Sequence, residues 1–195
     1  LVAAAAWFAW RQHERSWLDQ PIAALHEAVI FEVPEGASLS AVAASLEQQG
    51  LLAQRGAWVR HARRQGLATR IKAGEYALQP GATPADLLAQ FVAGRVRLYV
   101  ITIPEGWTFR QSLTAIQSHP AVKVELAGLA AAAVMTRLGL GERHPEGLFF
   151  PDTYHFQRGT SDGAILLQAH ARMANALAMA WANRAPQLPL NSPYE

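Results

Sequence analysis

Cysteine is missing from all 195 residues of this sequence. Its absence excludes disulfide scaffolds, thiolate zinc sites and cysteine nucleophiles together. The seven histidines are scattered and form no His-Glu-x-x-His pattern, so neither a metal nor another cofactor is expected. A Gly-x-Ser-x-Gly elbow and a glycine-rich phosphate loop are lacking too, which removes two further enzyme classes. Charge is scarce. Charged residues make up 16% of the chain and the net charge is +2, too small a balance to argue for a nucleic-acid partner.

What remains is apolar, 51% hydrophobic with much alanine, and long enough for one medium domain or two small ones. Residues 1–10 carry no charge and include Trp7 and Trp10. A membrane span needs about 20 such residues, so this run reads as the end of a truncated transmembrane anchor, its indoles at headgroup level. A buried or fraying N-terminal helix is the other reading. Residues 18–28, with Pro21, read as a connector.

One small unit then recurs three times. Phe31-Glu32-Val33-Pro34-Glu35-Gly36-Ala37-Ser38 precedes a helical pattern over 39–46. Tyr76-Ala77-Leu78-Gln79-Pro80-Gly81-Ala82-Thr83 precedes another over 84–92, and Ile101-Thr102-Ile103-Pro104-Glu105-Gly106-Trp107-Thr108 a third over 109–116. In each copy an alternating strand is stopped by Pro, Gly turns the chain, and Ser or Thr caps a helix. Thr83 with Asp86, and Thr108 with Gln111, have capping-box spacing.

Another helix is predicted over 55–65, closed by Gly66, so residues 29–99 read strand, helix, helix, strand, helix, strand. This is an α+β pattern. An alanine-rich helix is predicted over 122–138. A last helix begins with Ser161 as N-cap and Asp162 in its first turn, with Ile165, Leu166, Ala169, Met173, Leu177, Ala180 and Trp181 on its apolar face. Ser192, Pro193 and Glu195 form a further helix-start signal at the end of the chain.

Two features carry candidate chemistry. Arg55, Arg60, Arg63, Arg64, Arg70 and Lys72 form a basic cluster, suited to anionic headgroups, to nucleic acid or, most simply, to a solvated helix face. Residues 145–156 hold Glu146, Phe149, Phe150, Asp152 and Tyr154 in a loop-like context. Flat apolar rings and carboxylates together suit a sugar-binding cleft, and an apolar surround can raise a carboxylic acid's pKa for glycosidic cleavage. A buried structural loop, with Asp152 capping a turn, explains the same residues.

Glu146-Gly147-x-Phe149-Phe150-Pro151-Asp152-Thr153-Tyr154 resembles the signature of the YceG-like endolytic murein transglycosylases. Ile71-Lys72-Ala73-Gly74-Glu75-Tyr76 and the Pro104-Glu105-Gly106 turn match as well, and the resemblance runs along nearly the whole chain. It implies an α+β chain in three parts: anchor and connector over 1–27, a LysM-like module over 28–99, and the N-terminal part of a transglycosylase domain over 100–195. The implied enzyme is a lyase that cuts the β-1,4 bond between N-acetylmuramic acid and N-acetylglucosamine within nascent strands. It leaves 1,6-anhydro ends and uses no cofactor.

The resemblance also implies a single-pass inner-membrane protein with its bulk in the periplasm. Its partners would be peptidoglycan glycan strands, with glycan synthases or division proteins as further candidates. The family's catalytic Glu sits in a Glu-Lys-Glu stretch that this sequence does not contain, so no residue here takes the catalytic role and the chain itself is expected to be inactive. Glu146, Phe150, Asp152 and Tyr154 are expected to bind substrate or support its cleft. The alternative is a non-catalytic, membrane-anchored peptidoglycan-binding or scaffold protein.

Overall fold

The computed structural model describes residues 17–185 and 188–194. The expected anchor over 1–10 lies outside them. No helix among the described residues is long and apolar enough to cross a membrane. The chain is α+β and divides into two compact units between Arg97 and Leu98.

The first unit contains β1 (Val29–Val33), α1 (Leu39–Gln48), α2 (Arg55–Arg64), β2 (Gly74–Leu78) and α3 (Pro84–Ala93). β1 and β2 pair antiparallel, with Phe31 opposite Tyr76. Each strand is the predicted alternating segment, and each turn takes Gly into the left-handed region, at φ 72° for Gly36 and 83° for Gly81. Ser38 then caps α1 by accepting from Ala41 N, while Thr83 and Asp86 complete a capping box on α3. The core gathers Phe31, Leu46, Trp58, Tyr76, Leu87 and Phe91, all at most 1% exposed. Trp58 stays buried because its indole N–H finds the Pro84 carbonyl at 2.8 Å.

The connector predicted over 18–28 is more than a tether. Leu18 and Leu25 are buried in the first unit's core, and Ile22 N donates to the Ala82 carbonyl at 2.9 Å. Its leucines give it apolar surface to bury, which overrides the loop signal of Pro21.

The resembling motif at residues 71–76 turns out to be packing machinery. Lys72 N donates to the Phe91 carbonyl, and the Tyr76 hydroxyl donates to the Lys72 carbonyl at 2.7 Å. A Cβ on Gly74 would lie 2.7 Å from Val96 Cγ1, so only Gly fits there. Burial pushes the Tyr76 phenol above its ordinary pKa.

The second unit contains β3 (Tyr99–Thr102), α4 (Phe109–Ser118), α5 (Ala131–Arg137), β4 (Thr153–Phe156) and α6 (Asp162–Ala182). β3 pairs antiparallel with β4, with Ile101 opposite Tyr154. Two expectations change here. The strand closing the 29–99 pattern belongs to this second sheet, and the end of the aromatic stretch is a strand where a loop was expected. The alternation in Thr153–Phe156, which buries Tyr154 and Phe156 and exposes His155, is the reason.

The predicted 122–138 helix shrinks to Ala131–Arg137. The carboxylate of Asp162, fully buried, accepts from Glu125 N and Leu126 N at 3.1 Å each and from Gln117 Nε2 at 2.9 Å. Those two amides are held outside any helix by a long-range partner that propensity cannot register. Ser161 caps α6 as expected, accepting from Ala164 N. Of its predicted apolar face, Ile165, Leu166 and Ala169 are buried, Met173, Leu177 and Trp181 half-buried, and Ala180 exposed. Ser192, Pro193 and Tyr194 form a bend and turn, and Glu195 lies outside the described residues.

Candidate functional site

The third repeat and the aromatic stretch meet in the second unit. β3 runs out at Thr102, Pro104 and Gly106 turn the chain, and Thr108 with Gln111 boxes the start of α4. Against this turn lies the segment over 145–151, and between them opens a cleft of about 230 Å³. Its lining includes Trp107, Phe109, Glu146, Phe149, Pro151 and Met173.

The two aromatic walls differ in state. Phe109 and Phe149 stack at 5.2 Å between ring centroids, tilted by 28°, and Phe109 is only 5% exposed. Trp107 is 41% exposed, so a large indole surface is left open to a ligand. Glu146 also lines the cleft, with Oε2 accepting from Phe109 N at 2.9 Å. That amide is a free donor of the first turn of α4, so the helix itself holds the carboxylate in place. The Glu146 amide in turn donates to His144 Nδ1 at 3.4 Å.

The other expected site residues stand behind this surface. The cleft lining includes neither Phe150, Asp152 nor Tyr154. Phe150 N donates to the Ala169 carbonyl on α6 at 3.1 Å. Asp152 pairs with Arg172 of α6, its Oδ1 accepts from Thr153 N, and its carbonyl accepts from Ile103 N at 2.9 Å. Tyr154 is fully buried and its hydroxyl donates to the Phe150 carbonyl, while the Arg172 guanidinium lies 5.0 Å above its ring centroid. Burial pushes the phenol up to about 12; Asp152 adds to the rise and Arg172 opposes it.

These contacts tie residues 150–154 to α6 and β3 at several points, and so fix Phe149 and Pro151 where they line the cleft. Of the four expected residues, Glu146 is at the cleft and three brace it from behind.

Sequence reasoning passed over Trp107, Met173 and Arg172. A signal for Trp107 was present in the repeats. The place between turn Gly and capping hydroxyl is Ala37 in the first copy, Ala82 in the second and Trp107 in the third. A large ring where the mechanics need only a small residue marks added purpose. Arg172 gave no such signal, because its partner Asp152 lies 20 residues away in sequence.

No curated protein matches the chain. Among solved structures, a yceG-like protein from Listeria monocytogenes is 21% identical with a TM-score of 0.39; the alignment covers 80% of this chain and 57% of that one. The chain thus spans little more than half the length of that relative. The model of the YceG-like family matches residues 31–195, taking in the 71–76 motif, all three repeats and the segment that builds the cleft, and the chain belongs to the YceG-like family.

Proposed function

We propose that this chain supplies the sugar-binding part of a peptidoglycan lytic transglycosylase. The reaction is endolytic cleavage of the β-1,4 bond between N-acetylmuramic acid and N-acetylglucosamine, leaving 1,6-anhydro ends. One observation carries the reading: the family's signature segment helps build a cleft lined by both an open indole, Trp107, and a fixed carboxylate, Glu146. A sugar ring offers an apolar face to the first and hydroxyl donors to the second.

In this chemistry a single Glu protonates the leaving oxygen and then removes the proton from the muramyl 6-hydroxyl, so the bond is broken without water. No Glu-Lys-Glu stretch occurs in this sequence, and Glu146 is engaged by a helix N-terminus. Glu146 is therefore a ligand-orienting group. The strand–helix–helix–strand order of the first unit supports a LysM-like, peptidoglycan-binding reading of it, and the apolar residues 1–10 support an inner-membrane tether with both units in the periplasm. Glycan synthases and division proteins are partners suited to that location.

The test is retention of the purified chain on uncrosslinked glycan strands. Wild type is expected to bind, and Trp107→Ala to bind about tenfold more weakly with an unchanged melting temperature. Absence of wild-type retention would overturn the reading. Extending the chain with the family's Glu-Lys-Glu helix is expected to yield anhydro-muropeptides by mass spectrometry, and a Glu→Gln change in that helix to stop their release while binding persists. An extended chain that binds and never cleaves would favour the scaffold alternative.

A further inference from the structure

A second depression, of about 390 Å³, adjoins Phe109 at the start of α4. Phe109 lines both, so the two hollows flank the same side chain at the start of α4. One wall of the second hollow is a face of α4 carrying Arg110, Leu113 and Thr114; the other is the turn before α5, with Leu129 and Ala130. Leu129 is 42% exposed, an apolar side chain that the fold leaves uncovered.

Arg110 is the anomaly of this face. It is exposed and makes no hydrogen bond or ion pair among the described residues. It also occupies the second position of α4, where the helix dipole is positive and a cation is disfavoured. Glu146, which takes the Phe109 amide, forms no ion pair with it. A cation in an unfavourable electrostatic position with no partner in its own fold is placed to meet an anion from outside. The apolar neighbours Leu113, Leu129 and Ala130 suit an anion carried on a chain that also has apolar groups.

We infer that this hollow is a subsite for the acidic stem peptide borne by the glycan that occupies the adjoining cleft, with Arg110 pairing its carboxylate. The inference rests on the glycan reading proposed above. The two hollows share Phe109, so one polymer seated in the cleft brings its side branch to Arg110. The pairing is a surface one, and its effect is correspondingly moderate.

The experiment compares two probes on the same protein: uncrosslinked glycan strands with stem peptides intact, and the same strands stripped by an amidase. Wild type is expected to bind the peptide-bearing strands roughly two- to fivefold more tightly, with the preference fading at high salt. Arg110→Ala is expected to erase the preference and leave binding of stripped strands unchanged, while Arg110→Lys keeps part of it. Equal wild-type binding of the two probes, or a preference that survives in Arg110→Ala, overturns this inference and leaves the glycan reading standing. Failure of wild type to bind either probe overturns both.

Discussion

At the scale of the residue, Tyr154 shows how a signature position can brace a cleft without lining it. Its ring is sealed between Arg172 and the core, and its hydroxyl closes onto the Phe150 carbonyl. The phenol is pushed up to about 12 in the folded chain against 10.0 ordinarily. Its raised value adds stability that is complete below pH 10, shrinks between pH 10 and 12 as the unfolded phenol alone ionises, and shrinks no further above. Urea unfolding of wild type should therefore weaken across that window. Tyr154→Phe should show a shallower fall there, and should cost about 1 kcal/mol at neutral pH for the lost hydroxyl contact. Parallel curves for the two proteins would sink the assignment. Tyr76 titrates upward too, but it is common to both proteins and cancels in the comparison.

At the scale of the element, the helices whose caps are written locally were legible and those set by distant partners were not. Ser38, Thr83, Thr108 and Ser161 each announce a helix that forms, because cap, breaker and apolar period lie within a few residues of one another. The 122–138 stretch misled because alanine favours helix everywhere, whereas the amides of Glu125 and Leu126 are taken by a carboxylate more than 30 residues on. Asp162 was legible as a first-turn acid and illegible as a junction joining α4, the 123–126 segment and the start of α6. Asp162→Ala should cost about 3 kcal/mol, since it strands the buried Leu126 amide, the part-buried Glu125 amide and the Gln117 side chain at once. Chemical denaturation decides it; a loss under about 1 kcal/mol would reduce Asp162 to an ordinary helix-start residue.

The cleft shows the same division. Glu146 was readable from its motif, and Trp107 could have been read from the repeats. The bracing by Arg172 belongs to tertiary structure alone.

At the scale of the whole molecule, the 29–99 pattern ended on a strand that was counted with the first module, and that strand pairs in the second unit's sheet. Alternation marks a strand but says nothing of its partner: β1 finds β2, and β3 finds β4 some 50 residues later. Each unit buries its own cluster, around Trp58 and Phe91 in the first and around Tyr154 and Ile165 in the second. Residues 17–97 and 98–194, expressed separately, should each show cooperative thermal unfolding and dispersed amide spectra. Collapse of either into a non-cooperative state would mean that its cluster is too small to stand alone.

Gly94 ends α3 in the left-handed region at φ 70°, and the aliphatic stem of Lys72 lies across the place where its Cβ would be, 2.5 Å away at Cδ. The two positions are therefore coupled in packing: a Cβ at 94 displaces the Lys72 stem. Asn, the other residue at home in that backbone, should fit at 94 only as the Lys72 stem swings aside, and Lys72→Ala should recover part of whatever Gly94→Asn loses on chemical denaturation.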